Sequence, residues 1–349
     1  MTTSVRTIAL SISALTGVLS IPSLLTAQTI EVLAVEETFI STVVDLPFNP
    51  ETDYSTQRPA QREQSREPYD DSRFVIGADE RQPVLSRAFP WSAIGRLELQ
   101  DASGAIQSTC TGTLIAPDLV LTNAHCLEQS YLDPVTNQPS SAFISTERYQ
   151  EQQAAEAAPK LVFKPSMIDG VSLDEASVTS YRAGWRENST NPTADDWAVL
   201  KLDKDLGDDY GFLGWRSLDL GDRAIVERLA ENALLVGYSG DFPTTRLSQF
   251  GAPSETAGID EYCSIVGTFL EGYFVDTLIH DCDATPGSSG GPILAQFSDG
   301  DFYMIGLNAY QTDIPEPYMF PDGTVTSATN AGVQPSRWSA AAVEMSADR

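Results

Sequence analysis

The sequence predicts an all-β protein, and two observations support this prediction. Short apolar runs recur along the chain, each bounded by turn residues: SAIGRLEL, GTLIAPDLVLTNA, DWAVLKLD, ALLVGYSG, GGPILAQF and FYMIGLNAY. Short strands with regular turn signals are typical of a sandwich or a barrel. Helical periodicity is confined to residues 147–158 and to the tail 335–347, which we expect to pack as a terminal helix.

The composition is that of a globular chain with a strongly acidic surface. Of 349 residues, 42% are hydrophobic and 20% charged. Aspartate and glutamate outnumber lysine and arginine by 49 to 21, for a net charge of -28. Such a surface repels phosphate backbones and anionic membranes, and no local basic patch offsets it. We therefore expect no nucleic-acid partner.

The N-terminus indicates export. Arg6 precedes an apolar run, 8–25, that closes with Leu25-Thr26-Ala27, a small-residue site for signal peptidase. The alternative is an uncleaved anchor, but the serines and Pro22 make this run a poor membrane span. We predict a signal peptide over 1–27, a secreted (extracellular or periplasmic) protein and no stable membrane association after cleavage. Four cysteines suit two disulfides in an oxidising compartment, with three pairings open.

The segment 28–74 is predicted to be a pro-segment or linker. Residues 49–73 are nearly all polar or proline, so they cannot bury enough apolar surface to offset the entropy of ordering them. A spacer without a regulatory role is the alternative. The arginines open to processing proteases are Arg58, Arg62, Arg66 and Arg73.

A histidine follows the apolar strand LVLTNAHC, residues 119–126. A small-residue turn presents His125, and the chain has one other histidine, His280, so a base for neutral pH has few candidates. Taken alone, a histidine beside a core strand is more often structural. We expect His280 to be structural.

An acid stands at the start of the strand DDWAVLKL, residues 195–202. An acid at the mouth of an apolar strand can be held dry, where it accepts a histidine Nδ1–H and fixes the tautomer. Asp196 is the better candidate, because Asp195 points the other way on an extended chain. The alternative is that both acids are solvated.

Glycines surround a serine in TPGSSGGP, residues 285–292. They let the backbone turn tightly, so that the Ser289 hydroxyl and the amides of Gly287 and Ser289 face one point as nucleophile and oxyanion hole. A plain turn also fits, and so does the nucleophile elbow of α/β-hydrolases. Those hydrolases run serine, acid, histidine, and no histidine follows Ser289, which excludes an esterase of that kind.

The motifs TNAHC, DDWAVLKL and PGSSGGP, in this order, resemble the three signature blocks of the trypsin/chymotrypsin-like serine peptidases. The resemblance implies a triad of His125, Asp196 and Ser289. It also implies two packed six-stranded antiparallel β-barrels, at about 75–205 and about 206–349, with a short C-terminal helix.

CTGTLI, beginning at Cys110, also resembles this family, whose corresponding cysteine bridges to the one after the histidine. The resemblance implies the disulfides Cys110–Cys126 and Cys263–Cys282. VIGADER and FPWSAIG, from Val75 and Phe89, are similar to the start of mature enzymes of the bacterial glutamyl-endopeptidase-like (V8-like) branch. That likeness implies maturation between Arg73 and Val75 and a peptidase domain over 75–349.

Three positions depart from the family or bear on specificity. Ser288 stands where zymogens carry an aspartate that pairs with the new N-terminus, so we expect activation by removal of the pro-segment. Asn308 stands where Glu-preferring members have a histidine. Asp283 occupies the place of trypsin's pocket aspartate, where a carboxylate favours Arg or Lys in the substrate, unless it simply faces solvent. With Ala284, Asp283 and Asn308 form the predicted substrate pocket.

The sequence therefore predicts a secreted, monomeric serine endopeptidase that acts on proteins or peptides without a cofactor or metal. It is made as a precursor with a removable pro-segment. The alternative is a secreted, catalytically silent binding protein on the same fold.

Overall fold

The computed structural model describes residues 43–59, 79–132, 139–143, 159–185, 191–269, 275–319, 323 and 325–347. The predicted signal peptide, the helical segment 147–158 and the predicted cleavage region at 73–75 lie outside them. All the described residues belong to one compact unit, Ser41–Arg349. None of the helices among them is long and apolar enough to cross a membrane.

Strands dominate the described residues and fall into two main groups. In chain order they are β1 (Gln82–Pro83), β2 (Ile94–Gln100), β3 (Ile106–Ala116), β4 (Leu119–Thr122), β5 (Glu128–Leu132), β6 (Pro139–Phe143), β7 (Lys160–Pro165), β8 (Ala176–Ala183), β9 (Ala198–Leu202), β10 (Gly214–Trp215), β11 (Ala233–Gly237), β12 (Gly258–Cys263), β13 (Ile265–Thr268), β14 (Thr277–His280), β15 (Pro292–Gln296), β16 (Phe302–Met319) and β17 (Val325–Val333). The helices are α1 (Leu206–Tyr210), α2 (Arg223–Leu229) and α3 (Pro335–Ala347), with 3-10 turns at Trp91–Ala93, Ala124–Leu127 and Thr245–Phe250.

The first group is a closed barrel in the order β2-β3-β4-β9-β8-β7, which we call the first lobe. All its strand pairs are antiparallel. Strand β4 is buried at all four positions because the apolar run that predicts it lies inside the barrel. Strands β5 and β6 form a separate hairpin.

The second group, the second lobe, is a nine-stranded sheet. Its path runs β1-β12-β11-β15-β16-β17-β14-β13, and β10 pairs in parallel with β16. The sheet has more strands than the six-stranded barrel that we expected, because the two-residue β1 and the short β13 extend its two ends and the two-residue β10 pairs with β16. The predicted all-β fold, its six-stranded first barrel and its C-terminal helix are confirmed.

The C-terminal helix α3 is part of the core. Trp338 and Ala342 are fully buried and belong to the cluster that also fills the first lobe. A second apolar cluster lies in the second lobe and includes Phe297 and Ile293. Burial of this one face against the core stabilises the helix, as tertiary packing does for most protein helices.

Residues 43–59 are ordered on the surface of the second lobe, although the sequence analysis assigns them to the pro-segment or linker. Val44 is 2% exposed in the second apolar cluster, and isolated β-bridges join Tyr54 to Trp215 and Gln57 to Phe212. Backbone hydrogen bonds and a few buried anchors hold the segment, and neither needs an apolar run.

Candidate active site

Strand pairing brings His125 and Asp196 together. Thr122, the last residue of β4, lies opposite Ala198, the first residue of β9. The chain leaves β4 into the 3-10 turn at Ala124–Leu127, which presents His125 beside the residues that lead into β9. Two segments 71 residues apart in sequence therefore meet at one edge of the barrel.

Asp196 holds His125 through both carboxylate oxygens. Its Oδ2 lies 2.6 Å from His125 Nδ1, and its Oδ1 accepts the His125 backbone N–H at 2.8 Å. The Asp196 side chain is 0% exposed, whereas the imidazole is 31% exposed. A carboxylate oxygen accepts a hydrogen bond, so this contact fits the tautomer that donates from Nδ1. Asn123 Nδ2 donates to the Asp196 backbone carbonyl at 2.8 Å, which helps to fix the position of this residue.

Asp195 contacts a different partner, although the chain here is not the extended strand that the sequence analysis assumed. Asp195 N–H donates to the Asn191 carbonyl and Asp196 N–H to the Thr193 carbonyl, and β9 begins only after these residues. The Asp195 carboxylate forms an ion pair with Arg337 on helix α3 at 2.5 Å. The Asp195 side chain is 22% exposed. The two neighbouring acids thus have different environments: one is buried against a histidine and one is paired near the surface.

The loop that carries Ser289 is a pair of tight turns before β15. Ser288 N–H donates to the Thr285 carbonyl at 2.9 Å, and Gly291 N–H donates to the Ser288 carbonyl at 2.8 Å. Gly287 has φ +106°, and a Cβ there would lie 2.5 Å from the Tyr238 carbonyl oxygen. Only glycine fits this conformation and this close approach.

The loop leaves two amides available for a ligand. Gly290 N–H is engaged by the Asn308 carbonyl at 2.9 Å, and the amides of Ser288 and Gly291 are engaged within the loop. Within the part of the chain that the structure describes, the amides of Gly287 and Ser289 donate no hydrogen bond. These are the two donors that the sequence predicts for an oxyanion hole.

Thr111, which the sequence analysis missed, ties the loop to the first lobe. Its N–H donates to the Ser289 carbonyl at 2.8 Å, and its Oγ1 donates to the Gly287 carbonyl at 2.9 Å. The same Oγ1 accepts Tyr238 N–H at 2.9 Å. Thr111 is 0% exposed. The available signal was a threonine directly before a predicted core strand, since a buried hydroxyl must find partners.

A second set of contacts supports the loop from below. Ser288 Oγ donates to the Thr285 carbonyl at 2.6 Å and accepts from Asn308 Nδ2 at 3.1 Å. Asn308 Nδ2 also lies 3.2 Å from the Ser288 carbonyl, and Asn308 is 3% exposed. The structure therefore places the predicted pocket residue Asn308 directly against the loop that carries Ser289.

An ion-pair network joins the start of the loop to residues 79–81. The buried Arg81 contacts Asp79 at 2.9 Å and Asp241 at 3.0 Å. Asp241 in turn accepts a hydrogen bond from Thr285 Oγ1 at 2.5 Å. Because Thr285 accepts from Ser288, this network reaches the residue next to Ser289.

The other two predicted pocket residues have different surroundings. Asp283 is 4% exposed; its N–H donates to Asp260 Oδ2 at 2.6 Å, and its Oδ2 accepts from Glu80 N–H at 3.3 Å. Burial, and then repulsion from Asp260, raises the pKa of Asp283. Burial likewise raises the pKa of Asp260. Ala284 packs against the second apolar cluster. Asp283 therefore lies beneath Glu80 and does not face solvent.

His280 is fully buried on β14, as expected for a structural histidine. Burial lowers the pKa of His280 to about 3, against a smaller opposing effect of the Asn308 side chain. The imidazole is therefore neutral near pH 7.

The disulfides join the pairs that the resemblance implies. Cys110 bonds Cys126, directly after His125, with S–S 2.04 Å. Cys263 bonds Cys282, next to Asp283, with S–S 2.04 Å. One bridge thus lies beside the histidine and the other at the start of the loop that leads to Ser289.

A family model for the trypsin-like peptidase domain matches residues 110–307. The matched range includes the histidine–aspartate pair and the serine loop. The chain belongs to this family and is a trypsin-like peptidase, so its substrates are proteins or peptides. A sequence search finds no match among curated proteins.

Three solved structures resemble the chain at low identity. A Glu endopeptidase in complex with MPD is 22% identical, with a TM-score of 0.48, over 75% of this chain and 93% of that one. Protease Anisep from Arthrobacter nicotinovorans is 19% identical, with a TM-score of 0.45, over 73% and 97%. The thermostable serine protease AL20 from an extremophilic microorganism is 15% identical, with a TM-score of 0.42, over 70% and 91%.

Proposed function

We propose that this peptidase is a secreted serine endopeptidase with His125, Asp196 and Ser289 as its triad. The observation that carries the proposal is that the buried Asp196 carboxylate forms hydrogen bonds with both the ring Nδ1 and the backbone N–H of His125. A carboxylate so placed stabilises an imidazolium, which a purely structural histidine does not need.

In the proposed mechanism, Ser289 Oγ attacks the scissile carbonyl while His125 Nε2 takes its proton. Asp196 stabilises the resulting imidazolium, and the amides of Gly287 and Ser289 hold the oxyanion. His125 then protonates the leaving amine, and the acyl group stays on Ser289 Oγ. Water, deprotonated by His125, resolves this ester and restores the free serine.

The proposal includes no preference for a basic side chain. A carboxyl selects Arg or Lys through its charge. Burial and the neighbouring Asp260 raise the pKa of Asp283, so this carboxyl tends to keep its proton. The specificity is expected to depend on residues around Asn308, which is neutral and touches the nucleophile loop.

Activation is proposed to follow a cut between Arg73 and Val75 in an exported precursor. An ion pair between a new N-terminus and residue 288 is excluded chemically, because Ser288 has no charge. Its hydroxyl already donates to the Thr285 carbonyl. The loop therefore needs no charged partner at this position.

The test uses protein processed near Val75, with Ser289→Ala as the matched control. Both are incubated with a mixed peptide library, and the products are read by mass spectrometry. Cleavage that the control lacks, together with labelling by a fluorophosphonate, is the expected result. If the processed protein cuts nothing and takes no label, the proposal fails and a binding role on this fold replaces it.

A further inference from the structure

Residues 43–59, which we call the strap, are bound to the second lobe through backbone hydrogen bonds in both directions. Tyr54 and Trp215 exchange N–H to carbonyl bonds at 2.9 and 3.0 Å. Gln57 and Phe212 do the same at 2.9 and 3.0 Å. Each reciprocal pair is a rung of an antiparallel ladder, so the strap pairs with the chain around β10 as an added strand does.

A buried ion pair fastens the middle of the strap. Asp53 Oδ2 lies 3.3 Å from Arg216 Nη1, and both side chains are 3% exposed. Asp53 Oδ1 also accepts Ser217 N–H at 3.1 Å. Removal of the strap would leave the Arg216 guanidinium with Asp299, at 3.7 Å and 42% exposed, as its remaining carboxylate among the described residues. A buried charge that loses its partner is strongly destabilising.

Two further contacts show that the second lobe is shaped around the strap. Thr56 Oγ1 donates to the Phe302 carbonyl at 2.7 Å and accepts Gly214 N–H at 2.9 Å. A Cβ on Gly214 would lie 1.9 Å from the Tyr54 carbonyl oxygen, so the lobe needs glycine there to admit the strap. The Tyr54 ring stacks on Trp215 with centroids 4.6 Å apart.

We propose that the strap is a permanent part of the mature peptidase and is not removed with the pro-segment. When the chain is cut within 60–78, the strap stays bound without a covalent link, and the mature protein has two chains. The inference rests on the proposed function only in that it takes a cut there to be the natural processing event. The arginines downstream of the strap are Arg62, Arg66 and Arg73.

The experiment uses the full-length Ser289→Ala chain with a site for a sequence-specific protease inserted between Gln64 and Ser65. After complete cutting, the protein is passed through a size-exclusion column in native buffer, and the peak is analysed by denaturing mass spectrometry. We expect both fragments in one peak. An N-terminal fragment that elutes apart from the domain overturns the proposal.

Strap variants in the same background test the contacts that hold it. Asp53→Ala leaves Arg216 without its buried partner, so we expect the N-terminal fragment to dissociate at least about tenfold faster than in the parent. Ser55→Ala, at an exposed strap position, is the matched control and should dissociate at the parent rate. Equal rates for Asp53→Ala and Ser55→Ala would contradict the proposal. Because Ser289 is absent throughout, loss of the proposed activity cannot be confused with loss of the strap.

Discussion

The two lobes contribute to the candidate active site in different ways. The first lobe holds His125 and Asp196 within one closed barrel, where the pairing of β4 with β9 sets their separation. The second lobe presents Ser289 on a loop, which glycines and hydrogen bonds to Thr111 hold in place. The contact between His125 and Asp196 is therefore set within one barrel, whereas the position of Ser289 depends on contacts between the lobes.

The largest expected effect comes from a substitution that breaks the contact between Asp196 and His125 inside the first lobe. Asp196→Asn replaces an acceptor with a side chain that can also donate, which favours the wrong His125 tautomer, so kcat should fall about 10⁴-fold. The measurement is kcat on a peptide that the parent cuts. Asp195→Asn is the matched control: this acid pairs with Arg337, and its kcat should stay within about twofold of the parent. Equal losses in the two variants would refute the assignment of Asp196.

The next largest effect is expected from a substitution of Thr111, which joins the first lobe to the loop that carries Ser289. Thr111→Val keeps the backbone N–H bond to the Ser289 carbonyl but leaves the Gly287 carbonyl and Tyr238 N–H without their hydrogen-bond partner. We therefore expect kcat to fall about 10–100-fold. The acid limb of the pH profile of kcat/KM should keep its midpoint, because His125 and Asp196 are untouched. Thr111→Ser retains the hydroxyl and should recover most of the activity. A valine variant as active as the serine variant would show that the nucleophile loop does not need this contact.

A smaller effect concerns stability and the buried acids of the second lobe. The folded-state pKa of Asp283 is raised above its ordinary value, about 4, so the folded state binds more protons than the unfolded state above that pH. The free energy of unfolding therefore falls as the pH rises towards the raised pKa. The neighbouring charged groups that act on Asp283 or Asp260 are Asp79, Glu80, Arg81 and Asp281.

Asp283→Asn removes this titration, so at pH 8 its Tm should exceed that of the parent by about 2–4 °C, corresponding to ~1 kcal/mol. The difference should shrink towards pH 5. Thermal unfolding across this pH range is the measurement, and Asp203→Asn, at an exposed position, is the control. Parallel curves for Asp283→Asn and the parent would contradict a raised pKa.

The smallest expected effect on kcat/KM comes from substitution of His280, which is compared with His125. Burial lowers the pKa of His280 to about 3, so this imidazole carries no proton above pH 5. His280→Gln should leave the midpoint of the acid limb of kcat/KM unchanged and lower its plateau by less than about tenfold. A shifted midpoint would mean that His280 takes part in the titration assigned to His125.

The sequence by itself determined the family, the all-β class and the candidates for the triad. Each rests on a short local pattern, such as LVLTNAHC before His125 or the glycines around Ser289, whose chemistry is legible within a few residues. The order of the motifs along the chain then separated the two families that the serine motif fits, because a histidine before the serine excludes the α/β-hydrolase arrangement.

Only the tertiary structure decided the role of Thr111, the burial of Asp283 and the docking of the strap. Thr111 meets Gly287 across 176 residues, and Asp53 meets Arg216 across 163. A polar residue looks the same in sequence whether it faces water or a partner on a distant strand. The free energy of burying such a residue depends on its hydrogen-bond partner and on the exclusion of water, and both exist only in the folded protein.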